Sequence, residues 1–346
     1  MKILYGVAGQ GFGHAMRSKN VIEHLIRKGH VVKVITYGQA YPVLNEKFDC
    51  VEITGFHLYY HNNKMSYLRT VMNNLRQVRK LFHDLEVVRK VFLDFKPKVV
   101  FSDYETNTAY FAKMFKKPLI SLGNHHFITN CKIDFPDVYK KDYLAISAFT
   151  KAAAPFADKY FVTSFVDIET KDDKTELVDP ILQADVLRTK VTEKKYIMIY
   201  LTSEFTDIVS VLKDIKYKFI VYGLNKDQVI GNVTLKKFNR RGFINDLAGC
   251  KAVIANAGFS LISEALYFRK PYFALPIKSQ FEQTINAIYL KKMGYGDYQH
   301  DVSKKGILGF IKKIDKYKDN LKGYTKVNAK SFQKKVDNLL KTYEKM

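Results

Sequence analysis

The strongest constraint on the fold of this 346-residue sequence is a repeated alternation of short β-branched runs with longer amphipathic segments. Near the start, residues 3–8 predict a strand, 16–27 a helix and 31–37 a second strand. Such a unit pairs its strands in parallel through a right-handed crossover. Because the rhythm returns over 98–122, the first half is predicted to be a doubly wound α/β domain.

The same rhythm predicts a second doubly wound α/β domain in the C-terminal half. Its strand-sized runs are 196–201, 218–222, 233–238, 252–255 and 272–275. The charged, weakly periodic stretch between the halves suits a linker. The predicted organisation is a first domain over 1–168, a linker over 169–192, a second domain over 193–320 and a closing basic helix over 321–346, with the option that this helix packs back on the first domain.

Composition excludes several classes of protein. Apolar residues make up 47% and aromatic residues 14% of the chain, which rules out disorder as the main state. The three cysteines are widely separated and odd in number, so neither a disulfide framework nor a cysteine-based zinc site is expected. No secretory leader and no membrane span of about 18 apolar residues is expected. The expected location is the cytoplasm, with peripheral attachment to the inner face of the plasma membrane as an option.

The net charge of +23 indicates an anionic partner, and both lipid surfaces and nucleic acids are of that kind. The segment 62–98 holds nine basic residues against three acidic ones, with apolar residues at helical spacing. One interpretation is a solvated basic face over a core stripe, and the other is an interfacial surface for anionic lipid. The segment 303–346 holds thirteen lysines against four acidic residues and is expected to form closing helices with a basic exterior.

A glycine-rich turn, Gly9-Gln10-Gly11-Phe12-Gly13, separates the first predicted strand from the first helix. Gly11 and Gly13 would let a ligand approach the backbone amides of a helix start, where negative charge is favoured. The spacing differs from the dinucleotide fingerprint, no acidic residue ends the second strand, and no Gly-Lys-Ser/Thr closes a Walker loop. NAD binding and P-loop nucleotide binding are therefore disfavoured.

His14 directly follows this turn, and Asp103 directly follows the predicted strand that ends at residue 102. Both would stand at the carboxyl ends of parallel strands, where open α/β sheets bind ligands. An imidazole there can take a proton from an acceptor hydroxyl, and a carboxylate can orient the imidazole. The alternative is that His14 and Asp103 only cap the helices beside them.

The second half carries a similar turn after the strand predicted at 252–255. Gly258 and Ser260 open a helix whose first amides could hold a diphosphate, and Glu264 could accept a hydrogen bond from a ribose hydroxyl. The alternative is a capping box that pairs Ser260 with Ser263 or Glu264. Residues 280–287 follow a strand-end proline with several polar side chains, which by itself is a weak signal.

Together these stretches resemble the GT-B glycosyltransferases. Within that class they are similar to the family 28 branch, which includes the peptidoglycan lipid-linked N-acetylglucosaminyltransferase, and to a related family that opens Gly-x-Gly-x-Gly-His-x-x-Arg-Ser. The matching runs, in chain order, are 9–18, 101–105, 242–247, 257–266 and 282–287. The resemblance covers both halves and implies two facing Rossmann-like domains with a cleft between them. The first would bind the acceptor, and the second would bind a nucleotide-sugar, usually UDP-linked.

The resemblance also implies roles for single residues. His14 would be the general base, with Asp103 as its orienting partner. Ile244 would present its backbone to uracil, and Glu264 would contact the ribose. The other residues expected at the nucleotide-sugar site are Gly11, Gly13, Thr202, Ser203, Phe243, Asn256, Gly258, Phe259, Ser260, Glu282 and Gln283.

His125 and His126 add two imidazoles near the expected site, where contact with acceptor or phosphate and a buried or capping role are both open. No Asp-x-Asp stands at the strand end where metal-dependent transferases carry it, so we expect neither a catalytic metal nor a cofactor. The amides of a helix start would instead stabilise the leaving UDP.

The function expected is inverting transfer from a UDP-sugar to a hydroxyl of a lipid-linked or glycan acceptor at an anionic membrane face. Two alternatives stay open. One is a sugar-nucleotide epimerase of the same fold. The other is a basic nucleic-acid-binding protein, although the sequence carries no recognition signature for nucleic acid and none is expected as a partner.

Overall fold

The structure is a computed structural model and describes residues 1–57, 59–61, 64–65, 67–201, 208–326 and 329–345. The chain divides into two compact units. The first comprises Met1–Ile181 and Asn328–Met346, and the second comprises Leu182–Val327. Each unit has its own sheet and its own hydrophobic core.

The sheet of the first unit is parallel throughout the described residues. Its strands, in their order across the sheet, are β3 (Asp49–Glu52), β2 (Val31–Thr36), β1 (Lys2–Val7), β6 (Val99–Asp103), β7 (Leu119–Gly123), β8 (Lys159–Thr163) and β9 (Thr175–Val178). A separate antiparallel pair consists of β4 (Tyr60–His61) and β5 (Lys64–Met65). The helices of this part of the chain are α1 (Phe12–Arg27), α2 (Ala40–Asn45), α3 (Tyr67–Arg76), α4 (Val78–Phe95), α5 (Thr106–Met114), α6 (His126–Asn130) and α7 (Lys140–Ala153).

Alternate residues of the central strand β1 enter two different cores. Ile3, Tyr5 and Val7 pack with residues of α1, whereas Leu4 belongs to the cluster that contains residues of α4 and α5. This division follows from the two-residue period of a strand. Because helices cover both faces of the sheet, its strands are apolar on both sides, which is why they appear in the sequence as almost continuous apolar runs.

The second unit repeats the arrangement. Its described strands, in their order across the sheet, are β12 (Gln228–Ile230), β13 (Val233–Leu235), β11 (Lys218–Tyr222), β10 (Tyr196–Tyr200), β14 (Ala252–Ala255), β15 (Tyr272–Ala274) and β16 (Gly296–Tyr298), with β12 antiparallel at one edge. The helices are α8 (Ala184–Arg188), α9 (Ile208–Leu212), α10 (Arg240–Gly249), α11 (Phe259–Tyr267), α12 (Phe281–Lys292), α13 (Lys304–Ile311) and α14 (Ile314–Leu321).

The last helix, α15 (Ala329–Lys345), belongs to the first unit. Its apolar side chains Phe332, Val336 and Leu340 are buried in the core that also contains residues of α1. Asp337 adds a polar contact, because its carboxylate lies 2.7 Å from His24 Nε2 and 2.9 Å from Lys28 Nζ. Helix α15 therefore packs against α1, the helix that follows the glycine-rich turn.

The two sheets confirm the predicted doubly wound α/β fold class. The segment assigned to a linker, 169–192, is more ordered than its charge pattern indicates, because β9 extends the first sheet and α8 lies in the second unit. The basic segment that begins at residue 62 contains two helices, α3 and α4, which meet at Gln77.

Candidate active site

The glycine-rich turn brings the start of α1 to the end of β1. Gly11 is the N-cap residue of α1, and its φ of 83° is a left-handed conformation that strains any residue with a side chain. Gly9 is needed for space, because a Cβ there would lie 2.2 Å from the carbonyl oxygen of Tyr37. Gly13 and His14 follow within the first turn of α1. The turn therefore fixes where the imidazole of His14 lies.

Asp103 is the last residue of β6 and is completely buried. Its Oδ1 lies 2.7 Å from His14 Nδ1, so the structure brings the two predicted catalytic residues together. Arg17 donates to both carboxylate oxygens, from Nε at 2.9 Å and from a terminal nitrogen at 2.5 Å. The Ser18 hydroxyl donates to Oδ2 at 2.8 Å. Residues 14, 17 and 18 share one face of α1, since helix positions three and four apart are neighbours.

Burial and the neighbouring charges shift the pKa values of this cluster in opposite directions. Burial lowers the pKa of His14 below its ordinary value, and although Asp103 pulls it upward, Arg17 and His125 lower it further. Burial by itself would raise the pKa of Asp103, but Arg17 and His14 hold it well below its usual range. The pair is therefore a neutral imidazole beside a carboxylate at neutral pH.

This charge state fixes the tautomer of His14. An ionised carboxylate only accepts hydrogen bonds, so Nδ1 of the neutral ring must carry the proton that it shares with Asp103. Nε2 then keeps its lone pair and is the atom that can accept a proton from a ligand.

The capping alternative does not describe Asp103. Helix α5 begins after Glu105, whose carboxylate accepts the amides of Asn107 and Thr108 at 2.9 and 2.7 Å. With the cap supplied by Glu105, the contacts of Asp103 go to α1.

His125 and His126 differ in their placement. The His125 ring stacks on His14 and on Tyr104, with centroid distances of 5.1 and 4.1 Å. His126 is buried, lies 2.9 Å from the Ser121 hydroxyl, and has its pKa lowered by burial to about 3. His125 thus forms part of the His14 cluster, whereas His126 is a buried structural residue.

In the second unit, α11 begins at Gly258 without a side-chain cap. A Cβ on Gly258 would meet nothing within 4 Å, so there is room for a ligand above this turn. Ser260 is exposed, and the Ser263 hydroxyl donates to the Phe259 carbonyl within the helix. The first amides of α11 thus have no side-chain cap, and their binding to a diphosphate stays a prediction.

Glu264 lies one turn inside α11 and is largely buried. Burial raises its pKa, while Arg240 works against that shift through a 2.9 Å contact. The same guanidinium binds Asp185 at 2.8 Å. Arg240 therefore bridges two carboxylates and holds the side chain that was predicted to meet the ribose.

The remaining predicted nucleotide-site residues are placed as follows. Phe243 and Ile244 are buried in α10, and Ile244 lies one turn inside that helix, so a contact of its backbone with uracil would compete with helical hydrogen bonds. Asn256 donates to the Leu275 carbonyl at 3.0 Å. Glu282 and Gln283 lie in the first turn of α12, and the side chain of Gln283 accepts the Ile277 amide. Thr202 and Ser203 lie outside the described residues.

Within the described ranges, no three His, Cys, Asp or Glu side chains are grouped so that they could hold a metal ion. Among the same residues, no helix is both long enough and apolar enough to cross a bilayer. The absence of a catalytic metal stays a prediction.

The structure places two arginines at the centre of these clusters. Neither was assigned a role from the sequence. Arg17 stands three positions after His14, and that helical spacing was the available signal. Arg240 is separated from Glu264 by 24 residues, and its partnership depends on how α10 and α11 pack.

Solved structures with the same fold are known. CalG4, the calicheamicin glycosyltransferase, superposes with a TM-score of 0.70 at 14% identity and covers 99% of this chain and 98% of its own. Phytolacca americana UGT2, in complex with UDP-2fluoro-glucose and pterostilbene, superposes with a TM-score of 0.71 at 12% identity and 99% coverage of both chains. The fold is that of the GT-B glycosyltransferases, as the resemblance implied.

The family can be stated more closely. A model described as glycosyl transferase family 1 matches residues 1–315, and the chain belongs to that family. A curated relative from Bacillus cereus is named UDP-N-acetylglucosamine–N-acetylmuramyl-(pentapeptide) pyrophosphoryl-undecaprenol N-acetylglucosamine transferase 3. It is 24% identical over 234 residues, and the match spans 58% of this chain and 66% of the relative. The chain therefore combines membership of glycosyl transferase family 1 with the GT-B fold, and it is similar over about two thirds of the relative's length to an N-acetylglucosamine transferase.

Proposed function

We propose that the protein is an inverting, metal-independent glycosyltransferase that moves a sugar from a UDP-sugar to a hydroxyl group of a glycolipid or cell-envelope glycan. The observation that carries the proposal is the 2.7 Å contact between His14 and Asp103 at the carboxyl ends of the central strands, in a chain of a glycosyltransferase family.

The proposed reaction uses His14 as the base. The acceptor oxygen attacks the anomeric carbon while its proton moves to Nε2 of His14. The bond between the anomeric carbon and the phosphate oxygen breaks, and UDP leaves with the bonding electrons. Attack opposite to the leaving group inverts the anomeric configuration. Asp103 stabilises the imidazolium that forms and keeps the ring in its orientation.

The donor would be held by the second unit. The amides at the start of α11 have no side-chain cap, and together with the helix dipole they favour a diphosphate there. They would thereby stabilise the negative charge that develops on the leaving UDP. Glu264 would accept from the ribose hydroxyls, with its carboxylate oriented by Arg240.

A lipid-linked acceptor is supported by two observations. The printed name of the Bacillus cereus relative includes a pyrophosphoryl-undecaprenol group. In addition, α3 and α4 expose the apolar side chains Leu75 and Phe82 and the cations Arg76, Arg79 and Lys80, a mixture that suits an anionic bilayer surface. Attachment at the inner face of the plasma membrane would bring the protein to such an acceptor.

The test is acceptor-dependent release of UDP. UDP-N-acetylglucosamine, UDP-glucose and UDP-galactose are each incubated with and without a lipid extract and with and without EDTA, and the product linkage is read by NMR. We expect UDP release only with the acceptor and an inverted anomeric centre. Interconversion of UDP-sugars without acceptor would replace the proposal with an epimerase, and activity abolished by EDTA would contradict metal independence.

A further inference from the structure

One guanidinium group in the second unit connects three helices. Arg240, the first residue of α10, donates from Nε to Asp185 Oδ2 at 2.8 Å and from Nη2 to Asp185 Oδ1 at 3.2 Å. The same Nη2 donates to Glu264 Oε1 at 2.9 Å. Asp185 lies in α8 and Glu264 lies in α11. The two carboxylates are therefore held by one cation.

Asp185 comes from the segment that the charge pattern predicts to be a linker, yet its carboxylate has a defined position. Oδ1 of Asp185 also accepts the Val186 amide at 2.8 Å. Helix α8 in turn contacts α11, because the Tyr267 hydroxyl donates to the Leu187 carbonyl at 3.4 Å. Asp185 can therefore fix the plane of the Arg240 guanidinium from the side opposite to Glu264.

The charge state of Glu264 depends on both of these neighbours. Its side chain is only 10% exposed, and burial raises its pKa above the ordinary value. Arg240 opposes that shift, whereas the negative charge of Asp185 adds to it. Tyr272, on β15, also interacts with Glu264, and burial together with that carboxylate raises the pKa of the phenol, so the phenol stays neutral. Arg240 and Asp185 therefore act on Glu264 in opposite directions.

The ionised form of Glu264 is the form that can recognise a ribose. A carboxylate accepts hydrogen bonds at both oxygens, so it can take one from each hydroxyl of a vicinal diol, whereas protonation turns part of that capacity into a donor. The contact with Arg240 uses Oε1, and each carboxylate oxygen accepts about two hydrogen bonds, so acceptor capacity is left for a ligand. Without the cation, two carboxylates would stand close together, which favours protonation of the more buried Glu264.

We propose that Arg240 and Asp185 are positioning residues of the donor site, and that together they hold the Glu264 carboxylate so that the site prefers a nucleoside diphosphate with both ribose hydroxyls over one that lacks them. This assignment rests on the proposed function for the contact between Glu264 and the ribose. Helix α8 thereby takes part in donor selection, although the charge pattern of its segment predicts only a linker.

The readout is a ribose preference, defined as the dissociation constant of 2′,3′-dideoxy-UDP divided by that of UDP, measured calorimetrically on the full chain. Both nucleotides carry the same diphosphate, so its titration cancels in the ratio. For the wild type at neutral pH we expect a ribose preference of about 10 or more, the range of hydrogen bonds to a charged group. It should decline toward one as the pH falls through the pKa of Glu264, which lies above the ordinary value of a glutamate.

Two substitutions should move this decline in opposite directions. Arg240→Met keeps an apolar stem but removes the charge that favours the Glu264 carboxylate, so the decline should move to higher pH and the ribose preference at neutral pH should fall by about threefold or more. Asp185→Asn keeps the shape and an oxygen that accepts from Arg240, but it removes the charge that opposes the Glu264 carboxylate, so the decline should move to lower pH. Arg241→Met, at the exposed neighbouring position, is the matched control and should behave as the wild type does.

A guanidinium that only joined the three helices would give a different result. Loss of either partner would then loosen the site, so the decline would move in the same direction in both variants or in neither, and either result overturns the proposal. A wild type that binds UDP with no ribose preference overturns it as well, while leaving the UDP donor of the proposed function intact. A wild type that binds neither nucleotide would contradict the proposed function too. If circular dichroism shows that Arg240→Met does not fold, the direction of the shift in Asp185→Asn decides by itself.

Discussion

Asp103 is shared between a histidine and an arginine, and this sharing determines what His14 can do. Burial, with smaller contributions from Arg17 and His125, lowers the pKa of the ring below its ordinary value, whereas the carboxylate raises it. The ring therefore stays neutral over the range in which a base is needed. The cluster therefore fixes the orientation of the His14 ring but does not hold the ring in its protonated form.

Replacement of His14 by alanine tests the base directly. We expect His14→Ala to reduce kcat by about 10²- to 10⁴-fold, the usual contribution of a general base. UDP affinity should not change, because the start of α11 and Glu264, which are predicted to hold the diphosphate and the ribose, lie in the second unit. Turnover near the wild-type value would remove His14 from the mechanism.

Arg17 is a positioning residue, and its signature is the pH profile. Activity needs neutral His14, so kcat/KM should fall on the acidic side only below pH 6.5, the ordinary value for histidine. Arg17→Met removes a positive charge that lowers the pKa of His14, so the acidic limb should move to higher pH. Arg17→Lys keeps the charge but loses the two-pronged contact, and we expect lower kcat with the limb in place. Identical profiles for both variants would show that Arg17 is only structural.

At this scale the sequence predicted the pair of His14 and Asp103 but not its surroundings. The pair was visible because each residue directly follows a recognisable strand or turn. The ring stack of His125 on Tyr104 and the bridge from Arg240 to Glu264 depend on side-chain packing, which no spacing in the sequence encodes.

Among the elements, α15 adds three buried side chains, Phe332, Val336 and Leu340, to a core of the first unit. We expect Leu340→Ala, which empties a fully enclosed position, to lower the free energy of unfolding of that unit by about 2–5 kcal/mol. Lys341→Ala, at the exposed neighbouring position, should change it by less than about 0.5 kcal/mol. Denaturant melts read by circular dichroism provide the comparison. Equal stability of the two variants would mean that α15 does not complete the core.

The sequence predicted most of the long buried strands and missed β8 and the edges of the sheets. Central strands such as β1 and β10 are buried on both faces, so they appear as apolar runs. The edge strand β9 has two half-buried residues in a charged segment, and β16 has three residues that begin with Gly296. Such short strands are defined by the neighbour they pair with rather than by a pattern of their own.

At the scale of the whole molecule, the net charge of +23 indicates an anionic partner. We expect binding to phosphatidylglycerol vesicles that weakens with salt, and little binding to phosphatidylcholine. Reversal of Arg79 and Lys80 to glutamate should weaken vesicle binding by about 30-fold, at roughly 1 kcal/mol per lost cation. The same reversal at the exposed Lys140 and Lys141 is the control. Vesicle binding unaffected by both reversals, or salt-sensitive retention on DNA instead, would contradict the membrane assignment.

The measurement that tests the central claim most directly is a calorimetric titration of the protein with UDP, repeated on three variants. Glu264→Ala should weaken binding by about 10-fold or more, the range expected when a charged hydrogen bond is lost. It should still fold, because Asp185 continues to pair Arg240. Two further variants, Glu193→Ala at an exposed position and His14→Ala at the proposed base, should bind UDP as the wild type does. Binding that is lost only in Glu264→Ala is the predicted result, and a wild-type protein that gives no heat with UDP would contradict the account.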